Sequence, residues 1–153
     1  MRVPRILSGT VAVAATALGA PVSADGNAAN VTQSGGGNVA VVQQGGEDLA
    51  ANVTQAGHGN FAVTLQSGSG HHADLHQNGD GNAGAIVQSG DPGGPVGHIA
   101  ILRTNGDGHS GMIEQSGDDR RVDALIQIGD GTDGVTRRVH EHGPVTVIVE
   151  RGR

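Results

Sequence analysis

Small apolar and polar residues alternate through short segments of the chain from Asn27 onward. The segments NAANVTQ (27–33) and NVAVVQQ (38–44) both alternate, and four mostly glycine residues separate them. Alternate residues of a β-strand point to the same side, so each segment predicts a strand with one inward face. Glycine supplies the positive φ angles that a tight reversal needs. The pattern therefore predicts a unit of strand, turn, strand and turn.

This unit recurs with a fixed period. Glutamine falls at every eleventh residue from Gln33 to Gln88, and a glycine follows each of these glutamines by two residues. Asparagine follows every second glutamine by five residues, so the full unit is 22 residues long. A period of this length is typical of stacked repeats. We predict an all-β solenoid of five strand-turn-strand repeats plus a terminal half-repeat, with amyloid-like stacking. The repeats are 27–44, 49–66, 71–88, 98–115 and 121–138.

Stacking brings equivalent residues of successive repeats into columns about 4.8 Å apart. An unpaired buried amide costs roughly 1–3 kcal/mol, so amides in columns favour the in-register stack. The predicted amide ladder and assembly residues are Gln33, Asn38, Gln44, Gln55, Asn60, Gln66, Gln77, Asn82, Gln88, Gln115 and Gln127. The predicted turn glycines are Gly35, Gly57, Gly79, Gly106 and Gly129.

The pattern becomes less regular after Gln88. The segment DPGGPVG adds five residues, so the next equivalent position is Thr104. In the fifth repeat the alternation turns Asp123 inward beside Arg121, where the two could pair; a shifted strand that buries the neighbouring apolar residues is the open alternative. Further on, the spacing predicts Arg138 in a glutamine position. It also predicts a final strand with inward Val145, Val147 and Val149.

Composition and charge narrow the function classes. The chain has 28 glycines, one aromatic residue (Phe61) and no cysteine, so backbone ladders must replace a bulky core and no disulfide is possible. Residues 25–102 carry no Lys or Arg, and the formal net charge is −6. A nucleic-acid partner would require a basic footprint, so nucleic acid is excluded as the main partner.

Residues 1–24 have the features of a secretory signal peptide. Arg2 and Arg5 precede an apolar stretch that ends in the small residues of Val22-Ser23-Ala24. The stretch is shorter than the ~20 apolar residues of a membrane-spanning helix. We therefore predict an exported chain with a solenoid over residues 25–138 and a C-terminal strand or cap over 139–153.

The pattern Gln-x-Gly-x-x-Asn-x5-Gln resembles the curlin repeat of curli fibre subunits. Three copies match in full: Gln33/Gly35/Asn38/Gln44, Gln55/Gly57/Asn60/Gln66 and Gln77/Gly79/Asn82/Gln88. Two degenerate copies follow: Thr104/Gly106/His109/Gln115 and Gln127/Gly129/Thr132/Arg138. The resemblance implies a secreted subunit of an extracellular, curli-like functional amyloid fibre on a bacterial outer surface, for adhesion and biofilm matrix. The implied partners are other copies of the chain, a related nucleator or co-subunit, and the export machinery.

The histidines and the acidic turns are the candidate metal-binding residues of the chain. His71, His72 and His76 are close in sequence, but alternation turns His71 inward and leaves the other two outward, about 13 Å apart. These histidines predict a pH effect on assembly rather than a metal site. The turn sequence NGDG (78–81 and 105–108) resembles part of a calcium-binding β-roll, but the nonapeptide spacing is absent. We predict no metal and no cofactor.

Catalysis finds no support in the sequence, because Ser, His and Asp recur with the turns and form no catalytic constellation. The chain is predicted not to be an enzyme. A binding function is open, since a solenoid adhesin that does not polymerise is the alternative to a fibre subunit. The arginine pairs are typical of solvated charge, and contact with anionic polysaccharide or lipid is the alternative. These residues are Arg120, Arg121, Arg137 and Arg138.

The two ends of the solenoid differ in the sequence. Residues 27–44 carry no charge on either strand, which is typical of an edge open to another strand. Replacing Gln33 or Gln44 with Ala is therefore predicted to slow fibre elongation more than Gln115→Ala does. A second surface is predicted from apolar residues on the outward side, which favour lateral bundling of filaments. They are Val39, Phe61, Val63 and Leu65.

Overall fold

The computed structural model describes residues 8–14, 22–24, 26–91, 97–131, 136–138 and 145–152. Within those ranges every regular element is a β-strand. The strands are β1 (Ser8–Ala14), β2 (Val22–Ala24), β3 (Asn27–Ser34), β4 (Val39–Glu47), β5 (Ala50–Ala56), β6 (Phe61–Ser69), β7 (His72–Asn78), β8 (Ala83–Gly90), β9 (Ile99–Asn105), β10 (Ser110–Ser116), β11 (Val122–Ile128), β12 (Thr136–Arg138) and β13 (Val145–Arg151).

The strands form two facing sheets. Sheet A has the order β1-β4-β6-β8-β10-β12, and sheet B has the order β13-β11-β9-β7-β5-β3-β2. From β5 onward, each new strand pairs in parallel with the strand two places earlier in the chain. We call β3 and β4 coil 1, β5 and β6 coil 2, β7 and β8 coil 3, β9 and β10 coil 4, and β11 and β12 coil 5. The predicted β-solenoid is confirmed.

Successive coils stack in register. Gln33 lies beside Gln55 in sheet B, and Gln44 lies beside Gln66 in sheet A. The register survives the five-residue insertion, because Gln77 pairs with Thr104. Residues 92–96, which carry most of that insertion, lie outside the described residues. The added length therefore leaves the stack unchanged.

The core between the sheets is thin, and large side chains of one sheet face small residues of the other. In sheet B a column of valines in coils 1 and 2 becomes leucines at 75, 102 and 125, all buried. Across from these leucines, sheet A has glycines at 84 and 111. A Cβ built on Gly84 would lie 3.1 Å from Leu102 and 3.3 Å from Leu75. The larger leucines thus fill the volume that the glycines leave, which keeps the core close-packed.

Stacked glycines form the corners of the coils. Gly57 has a φ of 115°, and a Cβ there would overlap the carbonyl oxygen of Gly79 in the next coil. The predicted turn glycines share this arrangement in having positive φ: Gly35, Gly57, Gly79, Gly106 and Gly129. Only glycine combines that backbone conformation with so close a stack.

The fifth coil departs from the predicted register. Arg137 pairs with Ile113 and Arg138 with Glu114, so Arg138 lies one residue away from the predicted glutamine position. The prediction for Arg138 is wrong. Residues 136–138 include no glutamine or asparagine that could fix the register through ladder bonds. The predicted position Thr132 lies outside the described residues.

The final strand is also shifted by one residue. Ile148 pairs with Leu125 and Glu150 with Gln127. Val145, Val147 and Val149 are therefore outward, with 55–60% of their surface exposed, and the prediction that they point inward is wrong. The observed register continues the aliphatic column with Ile148, which packs against the core.

Asp123 points inward, as the unshifted register predicts. It pairs with Ala100 of the preceding coil and is 5% exposed. Its carboxylate accepts a hydrogen bond from Gln115 Nε2 at 2.9 Å. The alternative strand shift is wrong, because the buried carboxylate finds a donor in the amide of sheet A.

The N-terminal segment lies along the first coil. Strand β1 pairs antiparallel with β4, and β2 pairs antiparallel with β3. Both strands belong to the 24 residues predicted to be a signal peptide, which stays a prediction. None of the described residues forms a helix long and apolar enough to cross a membrane.

Candidate assembly ladders

The glutamines of sheet A form a continuous ladder. Gln44 Nε2 donates to Gln66 Oε1 at 2.9 Å, Gln66 to Gln88 at 2.8 Å, and Gln88 to Gln115 at 2.7 Å. All of these bonds run in one direction along the stack. The second hydrogen of each Nε2 goes across the core to a sheet B carbonyl, as in Gln44 to Ala28 O at 3.1 Å. Each glutamine thus joins two coils and also ties sheet A to sheet B.

The corresponding ladder of sheet B is interrupted. Gln33 donates to Gln55 at 2.6 Å and Gln55 to Gln77 at 2.8 Å. The next position is Thr104, whose Oγ1 is buried and has no hydrogen-bond partner among the described residues. Gln127 Oε1 is unpaired in the same sense, whereas Gln127 Nε2 donates to Glu150 at 2.9 Å. The ladder therefore has a gap of one rung in coil 4.

The asparagines act through the backbone rather than through each other's side chains. The N–H of Asn60 donates to Asn38 Oδ1 at 2.9 Å, and Asn38 Nδ2 donates to Gly57 O at 2.9 Å. The same pair of contacts recurs in the next coil, where Asn82 N donates to Asn60 Oδ1 at 3.0 Å. Each asparagine therefore satisfies the carbonyl of a stacked corner glycine and the amide of the next coil.

Comparison with known proteins gives one family. Residues 24–57 and 46–77 match the curlin associated repeat. This chain contains curlin repeats. The matches lie mainly in coils 1 to 3, where the ladders are complete. No curated protein and no solved structure matches the chain.

At the start of coil 3, His71 takes the position that Asn27 has in coil 1 and makes the same contacts. His71 Nδ1 accepts the backbone N–H of His98 at 3.0 Å, while His71 Nε2 lies 3.0 Å from Gly90 O. A carbonyl can only accept, so Nε2 carries the proton and Nδ1 does not. Asn27 shows the equivalent bonds, from Leu49 N to its Oδ1 and from its Nδ2 to Gly46 O. Neutral imidazole is thus a substitute for the amide, a role that the sequence analysis missed.

Two of these histidines stack inside the solenoid. The rings of His71 and His98 are parallel with centroids 4.9 Å apart, and both side chains are fully buried. Burial lowers the pKa of His98 below 6.5, and the neighbouring His71 lowers this pKa further. His98 Nδ1 has no partner within the described ranges. The neutral form of His98 is therefore favoured in the stack.

The carboxylates of the NGDG turns form a ladder of their own. Asp80 Oδ1 accepts the N–H of His58 at 2.7 Å, and Asp107 Oδ1 accepts the N–H of Asp80 at 2.7 Å. These side chains are exposed and cap the turn of the preceding coil. The part of the chain that the structure describes has no group of three or more His, Cys, Asp or Glu residues that could hold a metal ion. The arrangement matches turn chemistry.

Proposed function

We propose that the exported chain polymerises coil upon coil into an extracellular, curli-like fibre with a structural, non-enzymatic role in adhesion and biofilm matrix. One observation carries this proposal. The ladder bonds of sheet A keep lengths of 2.7–2.9 Å although the paired glutamines are 22 residues apart in two steps and 27 in the third. Stacking thus depends on matching rungs and not on the length of the connection, so a rung of another copy can serve equally well.

The strand edges at the two ends support head-to-tail addition. Gln33 Oε1 is buried without a hydrogen-bond partner among the described residues, so it can accept a further bond. At the other end, β13 is the outermost strand of sheet B and Glu150 is its ladder residue. Parallel pairing of β13 with β3 of a second copy would place Glu150 beside Gln33. The solenoid would then continue across the junction.

The N-terminal strands favour a second candidate, a solenoid adhesin that stays monomeric. Strand β1 pairs antiparallel with β4, and β2 pairs with residues 27–29 of β3, so the N-terminal segment occupies part of the edge to which a second copy would add. We propose that residues 1–24 are removed on export and that the edge is then open. If the segment is retained, the adhesin is the better description.

Seeded growth distinguishes the two candidates. The secreted chain and the chain with residues 1–24 retained should be compared at equal concentration by thioflavin fluorescence and electron microscopy. We expect the secreted chain to form fibres that seed further growth, with the ~4.8 Å repeat of stacked strands in fibre diffraction. A secreted chain that remains monomeric, or aggregates that fail to seed, would contradict polymerisation.

Glu150→Gln tests the junction directly. A carboxylate offers no hydrogen to Gln33 Oε1, whereas a glutamine amide can donate to it and continue the ladder. One added hydrogen bond contributes about 0.5–1.5 kcal/mol, so the critical concentration for fibre growth should fall about 2- to 10-fold. Glu47→Gln is the matched control, since Glu47 is exposed at the end of β4 and also loses one charge. Equal effects of the two variants would show that charge, not the rung, is responsible.

The fibre is also proposed to have partners other than copies of this chain. A related nucleator and the export machinery follow from the curlin repeats. Contact with anionic polysaccharide or lipid would use the arginines at the ends of coil 5: Arg120, Arg121, Arg137 and Arg138. Loss of polysaccharide binding on replacing Arg120 and Arg121 with Gln, with unchanged fibre growth, would support that contact.

A further inference from the structure

The outward surface of sheet A is apolar over coils 1 to 3. Phe61 is 48% exposed there, and aliphatic residues around it are partly buried by their strand neighbours. Exposed Gln43, which pairs with Leu65, and exposed Glu47 border this apolar surface at the end of β4. We call this surface face A, and it consists of Val39, Val41, Phe61, Val63, Leu65 and Val87.

The outward surface of sheet B is apolar at the opposite end of the solenoid. The exposed fractions of Ile128, Val145, Val147 and Val149 are 42%, 60%, 60% and 55%. We call this surface face B, and it consists of Ile101, Ile126, Ile128, Val145, Val147 and Val149. The one-residue shift of β13 creates much of it, because the predicted register would have turned the valines inward.

The outward residues of coil 3 in sheet B and of coil 4 in sheet A are mostly polar. Sheet B carries His72, Asp74 and His76 on its outward side in coil 3, and sheet A carries Ser110 and Glu114 in coil 4. The two apolar faces therefore lie diagonally, on opposite sheets and at opposite ends. Two copies placed side by side and pointing in the same direction bring face A against face B only when they are displaced along the axis by about half the solenoid.

The shapes of the two faces are complementary. Beside Phe61 lies a hollow of about 260 Å³, lined by Ala83, Ala85 and Met112 among others, where small side chains leave the sheet surface low. Face B instead presents a ridge of exposed valines. A ridge entering a hollow excludes water from both, whereas two hollows or two ridges in contact would leave voids.

We infer that face A of one copy packs against face B of a second copy in a neighbouring filament, with the filaments displaced by about half a solenoid. This inference rests on the proposed polymerisation. The displacement also sets the polar residues of sheet B against those of sheet A. Arg103, which pairs with Ile126, lies at the border of face B, where its guanidinium is 3.7 Å from Asp74.

The small area of the two faces favours contact between copies that are already part of filaments over contact between free monomers. Three strands spaced about 4.8 Å apart and five residues long present roughly 250 Å² per copy. A stable interface buries about 800 Å² on each partner, so two monomers should not associate through these faces. Along a filament the contact repeats in every copy, and the summed contacts hold the filaments together.

Two variants, each disabling one face, test the pairing. Phe61→Lys disables face A, and Val147→Lys disables face B; Asn52→Lys, on the outward side of coil 2 in sheet B, is the control. We expect fibres of the parent and of Asn52→Lys to bundle, and fibres of either face variant alone to remain single by electron microscopy and low-speed sedimentation. Preformed Phe61→Lys and Val147→Lys filaments, once mixed, should form pairs and no larger bundles, because each retains only one working face.

Other outcomes overturn the inference. Pairing of Val147→Lys filaments with each other would show that face A packs on face A, and pairing of Phe61→Lys filaments would show the same for face B. Parent fibres that never bundle would refute the lateral contact and leave polymerisation intact, whereas a parent chain without fibres would refute both. If either variant fails to elongate, Val63→Lys and Val145→Lys repeat the comparison.

Discussion

Thr104→Gln would close the gap in the sheet B ladder. Thr104 lies between Gln77 and Gln127, and its own Oγ1 and the Oε1 of Gln127 are both buried without a partner in the described part of the chain. A glutamine there would accept from Gln77 Nε2 and donate to Gln127 Oε1. Its second hydrogen would reach a carbonyl of sheet A, as Gln77 does with Phe61 O at 3.1 Å.

The expected gain follows from three new hydrogen bonds. Each contributes about 1 kcal/mol net, and fixing a glutamine side chain costs up to about 2 kcal/mol of rotamer entropy. Removing the two unpaired oxygens adds roughly another 1 kcal/mol. The free energy of unfolding should therefore rise by about 1–2 kcal/mol, and the Tm by about 3–6 °C for a chain of this size.

Urea unfolding of the monomeric chain, followed by circular dichroism, measures this gain. Thr104→Val is the matched control, because it removes the unpaired hydroxyl and leaves Gln127 Oε1 unsatisfied. We expect the order of stability to be Gln above Val above the parent at position 104. A glutamine variant no more stable than the valine variant would refute the reasoning that the ladder, and not the buried hydroxyl alone, stabilises the stack.

Three further predictions test other parts of the stack. Thr64→Val should stabilise the chain by about 1–2 kcal/mol, because Thr64 Oγ1 is buried without a partner in the described chain and valine has the same shape; an unchanged urea midpoint would contradict this. Gly57→Ala should cost about 3 kcal/mol or more, but Gly59→Ala only about 1–2 kcal/mol, since both have positive φ and only a Cβ on Gly57 meets the next coil; equal costs would exclude the stacking effect. Stability should fall as the pH drops below 6.5, because the pKa of His98 is lowered in the folded state and the unfolded chain binds the proton more readily. In His98→Asn, which keeps an amide at this corner, the free energy of unfolding measured between pH 7.5 and 5 should depend less on pH; an unchanged slope would point to another group.

The fold could be predicted from the sequence because each coil must match its neighbours at a fixed spacing. That constraint repeats glutamine and glycine at fixed intervals, and the alternation of the strands then assigns an inward side. The register across the five-residue insertion after Gln88 was predictable, because Gln88 and Gln115 mark it on either side. Register is predictable wherever a ladder residue marks it.

The C-terminal register could not be predicted, because no ladder glutamine marks it. Arg138 does not occupy a ladder position, so the position eleven residues after it does not either. In the structure, Ile148 pairs with Leu125 and Glu150 pairs with Gln127. These are packing and hydrogen-bond preferences that a count of residues does not include.

The histidine corners were predictable in part. His71, His98 and His109 fall in columns that other coils fill with asparagine or with aliphatic residues. Imidazole has one acceptor and one donor on opposite sides, as a side-chain amide has, so the replacement is chemically readable. The ring stacking of His71 on His98 needed coordinates, because it depends on the spacing of the coils.

The loop after Gln88 has a practical consequence. Coils 3 and 4 stay in register although the connection between them is five residues longer than the connections between coils 1, 2 and 3, so added length at this corner leaves the stack unchanged. Loop length adds little to the free energy of closure. A foreign peptide inserted between residues 92 and 96 should therefore leave the rungs intact. Each copy in a fibre would then present one graft, spaced along the axis by the length of the solenoid, which makes this corner a site for ordered display.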